Sequence, residues 1–329
     1  QLFLAVYVDD FKLAGPKAHL AQGWDLIRKD AKLLLEPPAA AHLYLGCIHR
    51  RENIPLAGGR SAQAVVYDME SYLSSTVSRY STLVQKLIGK PAKFKHVDTP
   101  FIPEDQHNAP TRAPCSKGPS HTCPWCSNTF TSEDEKLFND AMVELKKSIQ
   151  KEKQQKKKGV SSPAASVVAS DPTEEDQGRL QSIAASILMG VLYAARMARF
   201  DLLRATCKLA CYATKWNSDC DRRLARLMNY IHSSLKLKQI GWVGDELHEI
   251  APHLFADADF AGCERTQRST SGVHLVIMGP NTRFPIKGIS KRQGCVSNST
   301  PEAEMVAGHF ALRSVLMPAL DLWEVIAPG

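Results

Sequence analysis

Residues 2–14, Leu-Phe-Leu-Ala-Val-Tyr-Val-Asp-Asp-Phe-Lys-Leu-Ala, carry the strongest structural signal in the chain. An unbroken apolar run is followed by Asp9 and Asp10, a second short apolar run, and Gly15-Pro16 as punctuation. That pattern predicts a buried β-hairpin with two carboxylates at its tip. Acceptor-only oxygens on a rigid turn suit a magnesium ion, although Asp-Asp in a turn is also ordinary turn chemistry.

A second acidic constellation lies near the other end. Residues 255–262 read Phe-Ala-Asp-Ala-Asp-Phe-Ala-Gly, residues 268–272 Arg-Ser-Thr-Ser-Gly, and residues 299–304 Ser-Thr-Pro-Glu-Ala-Glu. On a strand Asp257 and Asp259 share one face. Thr300 as N-cap with Pro301 in the first turn predicts a helix that carries Glu302 and Glu304 to the sheet edge, where a divalent metal could sit between strand and helix. The bland reading makes the two glutamates partners of the helix dipole and Asp257 a strand-end charge.

Between these ends the chain reads as α+β. Helical spacing covers residues 17–35, 68–90, 180–199, 201–216 and 219–234, the last three as one helical unit. Strand patterns cover residues 43–49, 254–260, 272–278 and 284–290. With 329 residues and 44% hydrophobic content the chain has apolar sequence enough for about two domains, which excludes disorder throughout. A net charge of +7 favours an anionic partner. Nine cysteines without framework spacing point to a reducing compartment. The uncharged apolar stretch 180–195 is 16 residues long and reads as a core helix, short of the roughly 20 residues that cross a bilayer, so no membrane partner is expected. A chain that opens on Gln1 directly in an apolar strand reads as a piece of a longer protein.

The order Tyr7-Val8-Asp9-Asp10, then Tyr44-Leu45-Gly46, then Val97-Asp98-Thr99-Pro100, the helix pair within residues 187–211, and the 255–262, 268–272 and 299–304 motifs resembles the copia-type retrotransposon polyprotein. The resemblance covers most of residues 1–106 and 177–329. It implies a partial reverse-transcriptase palm with connection (1–106), a helical connection (177–245), and an incomplete ribonuclease H-like sheet with one main helix (246–329). By that resemblance Asp9 and Asp10 are polymerase aspartates that bind magnesium, and Tyr7 packs beneath the primer end. Asp257 and Glu304 would hold two magnesium ions around the scissile phosphate of an RNA/DNA hybrid. Asp259 and Glu302 match family positions in a supporting capacity. The implied partners are primer-template nucleic acid, RNA/DNA hybrid and the remainder of the polyprotein, in a cytoplasmic particle or the nucleus. The family's upstream palm aspartate and the third ribonuclease H aspartate have no counterpart here, since Asp321 sits in a helical stretch. Each site would leave a metal underligated, so the chain alone is expected to be inactive.

Residues 107–176 differ in kind and read as an insertion, largely disordered. Residues 146–158 hold seven lysines against one glutamate, and Lys153, Lys156, Lys157 and Lys158 are candidate phosphate contacts of a non-catalytic nucleic-acid-binding module, or else a solvated tail. Cys123-Pro124-Trp125-Cys126 has knuckle spacing; with Cys115 and His121, and His107 near, it forms a candidate structural zinc set, against the alternative of a loop with free thiols. Zinc binds thiolates and displaces their protons. Adding zinc to the purified chain is therefore expected to release protons and order residues 105–130, read by dye absorbance and amide NMR; unchanged spectra dismiss the site.

Overall fold

The computed structural model describes residues 2–31, 35–40, 42–102, 120–122, 129–131, 178–263 and 266–327. It divides into two units, residues 1–101 with 176–329 and residues 102–175. The fold is mixed α and β with antiparallel sheets.

The first unit opens with β1 (Phe3–Tyr7) and β2 (Asp10–Ala14), followed by α1 (Lys17–Ala31). The hairpin is as expected, but it is not buried: Leu4, Val6 and Tyr7 are each about half exposed, because β1 and β2 form a sheet of only two strands. One face is closed by α1, so tightly that a Cβ at Gly23 would meet Leu2 and Leu13 side chains at 2.6 and 2.9 Å.

The strand expected over residues 43–49 is instead a hairpin, β3 (Leu43–Tyr44) and β4 (Cys47–Pro55). Leu45 and Gly46 both take positive φ, 52° and 72°, the geometry of a two-residue turn that matches strand twist. Next come β5 (Ser61–Asp68) and α2 (Glu70–Ile88), which ends on Gly89 in the left-handed conformation. The helical unit contains α3 (Gln181–Met197), α4 (Leu203–Ala210) and α5 (Ser218–Ser233). Its fully buried Leu188, Val191, Leu202, Leu224 and Ile231 pack with Leu73 of α2 in one core, as the helical spacing predicts. The helix expected over residues 201–216 stops after Ala210, and turns bring Trp216 back into that core.

In the second unit β6 (Ser120–Thr122) pairs antiparallel with β7 (Thr129–Thr131). The remaining strands, all in the first unit, are β8 (Gln239–Val243), β9 (Ala251–Asp259), β10 (Thr270–Met278) and β11 (Arg283–Arg292). Seven strands form one antiparallel sheet in the order β3-β4-β5-β8-β11-β10-β9. Thus β9 stands at its outer edge. The C-terminal helix is α6 (Thr300–Ala311), a π-helical turn Leu312–Leu316, and α7 (Met317–Ile326). Pro318 lacks an amide proton, and the widened turn just before it lets the helix restart. Ser299, not Thr300, is the N-cap, accepting from the Glu302 amide at 3.3 Å. Thr300–Ile326 is the one stretch of described residues long and apolar enough, with a mean hydropathy of 1.2, to cross a membrane. Here Ala303, Ala307, Ala311 and Val315 are buried, the last two in one cluster with Val273 and Leu275 of the sheet.

The joint between the chain's two halves is the pairing of β5 with β8, from Gln63↔Val243 to Tyr67↔Gln239. Asp68 pins it. Its carboxylate receives Arg50 of β4 at 2.5 Å, Lys238 at 3.0 Å and the Glu70 amide at 2.9 Å. Burial opposes its charged form, but the Glu70 amide, Lys238 and Arg50 outweigh burial and hold its pKa below the usual carboxylate range. A depressed folded pKa stabilises above the unfolded value and loses that contribution as pH falls through the folded one. Asp68→Ala is expected to cost about 2 kcal/mol at pH 7. In urea titrations the deficit should shrink below pH 3.8, the ordinary value.

Candidate functional site

Two acidic positions invite chemistry, and they sit on different sheets. At the hairpin, Tyr7 pairs with Asp10, leaving Val8 and Asp9 as the turn. Val8 has φ of 56°, which a β-branched residue rarely adopts, and is 84% exposed. Asp9 and Asp10 are both exposed. By strand alternation Tyr7, Asp10 and Lys12 share a face. Around that face stand Tyr44, which belongs to the Tyr44-Leu45-Gly46 motif, and His49 and Tyr193, neither of which carries a sequence signal. Burial, and after it the charge of Asp10, raises the Tyr44 hydroxyl. The Tyr193 hydroxyl is raised by burial, then by Tyr72, Tyr7 and Asp10, and donates to the Leu45 carbonyl at 2.6 Å.

Lys12 Nζ lies 3.1 Å from His49 Nδ1 and 5.3 Å from the centre of the Tyr44 ring. Burial, then Lys12, lowers the His49 pKa to about 4, so the imidazole is neutral at pH 7. Its Nε2 is buried with no hydrogen-bond partner among the described residues. These contacts make the base of the turn polar and fixed while its tip stays open. Two adjacent exposed carboxylates are a partial oxygen shell that magnesium would complete with water and phosphate oxygens.

The second position is β9. Asp257 stands opposite Gly272 and Asp259 opposite Thr270. Alternation puts both aspartates, with Phe255, on one face of the sheet, and Ala256, Ala258 and Leu254 on the other. The second face carries α6: Ser271, the cross-strand partner of Ala258, is buried and receives Gln293 Nε2, which also donates to the Ala303 carbonyl of α6 at 2.9 Å. The first face carries the helical unit, where Arg204 of α4 meets Asp259 at 2.5 Å. Approach there is so close that a Cβ at Gly288 would strike the Phe200 ring at 2.8 Å.

Alternation thus turns Asp257 toward the side that carries α4, whereas α6, the helix bearing Glu304, packs on the other side of the sheet. Glu302 accepts the Asn298 amide at 2.7 Å, which is helix-capping geometry. Among the described residues no three His, Cys, Asp or Glu side chains are grouped to hold a metal ion. Asp257 instead lines an open groove of about 430 Å³ with Asp259, Phe255, His274, Phe200 and Arg204. Sequence spacing could not have found Arg204 or Phe200, because α4 reaches the groove only through the tertiary fold.

Of the zinc candidates, His121 lies on β6. Cys115, Cys123, Cys126 and His107 lie outside the described residues, as do Lys153, Lys156, Lys157 and Lys158 and the disorder expected around them. No protein-family model matches the chain, and no solved structure matches it.

The Arg204–Asp259 pair is partly exposed, which bounds its worth. A double-mutant cycle with Arg204→Ala and Asp259→Ala, followed by urea unfolding, is expected to give a coupling of about 0.5–1 kcal/mol.

Proposed function

We propose that this chain is part of a copia-type reverse transcriptase and ribonuclease H polyprotein, and that it is catalytically inert by itself. One observation carries the reading. The Tyr-Val-Asp-Asp motif occupies the tip of an antiparallel hairpin with both carboxylates exposed, as a polymerase turn requires to meet a primer end. The later motifs support it by their order: the strand bearing Asp257 opens the meander β9-β10-β11, and a capped helix bearing Glu304 follows. In this reading Asp9 and Asp10 would take magnesium and Tyr7 would lie against the primer, with primer-template, RNA/DNA hybrid and the remaining polyprotein as partners.

Inactivity follows from the acids. Among the described residues the two hairpin carboxylates have no third acid grouped with them to hold a metal. On the sheet, Asp259 is engaged by Arg204 and Asp257 faces away from the side on which α6 packs. A nucleophilic water between two metals needs carboxylates converging from one side.

The test uses the purified chain with magnesium and a labelled RNA/DNA hybrid, and in parallel a primed template with deoxynucleotides. The expected outcome is no turnover above a no-protein control. Metal-dependent cleavage lost in Asp257→Asn, or extension lost in Asp9→Asn, would refute the inert reading. Restoration of extension by adding a separately expressed upstream palm segment is the outcome expected if the ancestry is right.

A further inference from the structure

A basic segment that neither acidic position uses begins within α2 and runs past its end. Residues 71–97, between Glu70 and Asp98, hold five lysines and arginines and no acid. Arg79 donates to the Ser186 hydroxyl, and the other four, Lys86, Lys90, Lys93 and Lys95, are exposed. Among the described residues none of these four lysines forms an ion pair. The acids on the elements packed here are engaged elsewhere. Asp98 faces His96 at 3.2 Å, Asp219 holds Arg222 and Arg223, and Asp221 accepts from the Trp216 indole.

The segment is fixed against α5. After Gly89 the Lys95 amide donates to Asn229 Oδ1 and the Val97 amide to Ser233 Oγ, each at 3.1 Å, and Arg226 donates to the Thr99 carbonyl at 2.8 Å. Ala92 and Phe94 turn inward against the core, with the Phe94 ring stacked on His232, centres 4.7 Å and planes 10° apart. Alternation then sends Lys93 and Lys95 outward together, about 6.6 Å apart along an extended chain. Lys90 stands exposed at the head of the same run. Three ammonium groups are thus carried on backbone that is anchored from the opposite side.

We propose that Lys90, Lys93 and Lys95 form a docking surface for the sugar-phosphate backbone of double-stranded nucleic acid. The inference builds on the nucleic-acid partnership proposed above and adds the surface that meets it. Ammonium groups are compact point charges, which neutralise phosphates and release counterions without reading bases. A duplex presents one charge per about 1.7 Å of axis against about 3.4 Å for one strand, so it gains more from such a row. Single-strand binders add aromatic rings on which bases stack. The one aromatic ring between Lys90 and His96 is Phe94, and it is turned inward. The surface uses neither Asp9, Asp10, Asp257 nor Glu304, so it holds a duplex whether or not chemistry follows.

The lysines report on occupancy. The full chain is acetylated with a succinimidyl ester at low conversion, and each lysine is followed by peptide mass mapping, with exposed Lys29 of α1 as the internal control. The probes are a mixed-sequence RNA/DNA hybrid, single-stranded RNA of the same sequence, and phosphatidylserine vesicles. The hybrid is expected to slow acetylation of Lys90, Lys93 and Lys95 about threefold at twice its Kd, leaving Lys29 unchanged. At equal concentration the single strand is expected to protect less, and the vesicles not at all. In anisotropy titrations the combined Lys90→Gln, Lys93→Gln and Lys95→Gln variant is expected to bind the hybrid at least about tenfold more weakly at low salt. Its slope of log affinity against log salt should be smaller by about 0.9 per lysine removed. Unchanged acetylation with the hybrid, equal slowing at Lys29, equal protection by the single strand or the vesicles, or an unchanged salt slope would each overturn the proposal. If the combined variant loses its urea transition, the acetylation pattern of the parent chain decides. Protected lysines without extension restored by the upstream palm segment would sink the polymerase ancestry and leave this surface standing. Restored extension with these lysines unprotected would do the reverse.

Discussion

The pairing of β5 with β8 is the constraint on which the architecture depends. Residues 61–68 and 239–243 belong to blocks of chain separated by the whole helical unit, and their ladder makes one sheet out of what would be two short ones. Loop closure over such a span costs conformational entropy, and the ladder alone offers only five register pairs to offset it. The buried Asp68 carboxylate adds charge-assisted bonds from both sides of the seam, one from β4 and one from the residue preceding β8. The same carboxylate binds the first amide of α2, so seam and helix start are fixed by one group. Lose the seam, and the sheet parts into β3-β4-β5 and β8-β11-β10-β9.

Much of the local structure was legible in the sequence, and the reasons differ by element. The 2–14 hairpin follows from apolar runs around a polar turn, and α2, α3 and α5 follow from helical spacing, with Gly89 closing α2 and Asn217 opening α5. Strands β5 and β8 left no such trace. Residues 61–68, Ser-Ala-Gln-Ala-Val-Val-Tyr-Asp, bury small alanines at alternate positions, and alanine carries little strand signal. Residues 239–243 are short and contain Gly241, whose place is explained only by the Phe284 ring, 2.9 Å from where a Cβ would stand. The turn at Leu45-Gly46 was hidden because a leucine with positive φ has no sequence mark.

The candidate sites were legible in residue type but not in orientation. Period-two alternation correctly put Asp257 and Asp259 on a common face, yet it could not say which layer that face meets. That depends on α4 and α6 flanking the sheet from opposite sides, a tertiary fact. Choosing Ala256, Ala258 and Leu254 for the α6 side is sound packing, since Ala303, Ala307 and Ala311 of α6 approach closely only over small residues. The aspartates then turn by default toward α4, where Arg204 answers one of them.

Strand β9 is the last of its sheet, and this has a consequence for handling the molecule. Along its outer side successive amides and carbonyls meet no neighbouring strand among the described residues, and such a row is a template for any extended chain that drifts near. Charge is the natural defence against that adhesion, and here it comes from Asp257 and Asp259. The two aspartates thus serve colloidal stability whatever their ancestry. Removing them by substitution takes away that local charge and favours intermolecular cross-strand association.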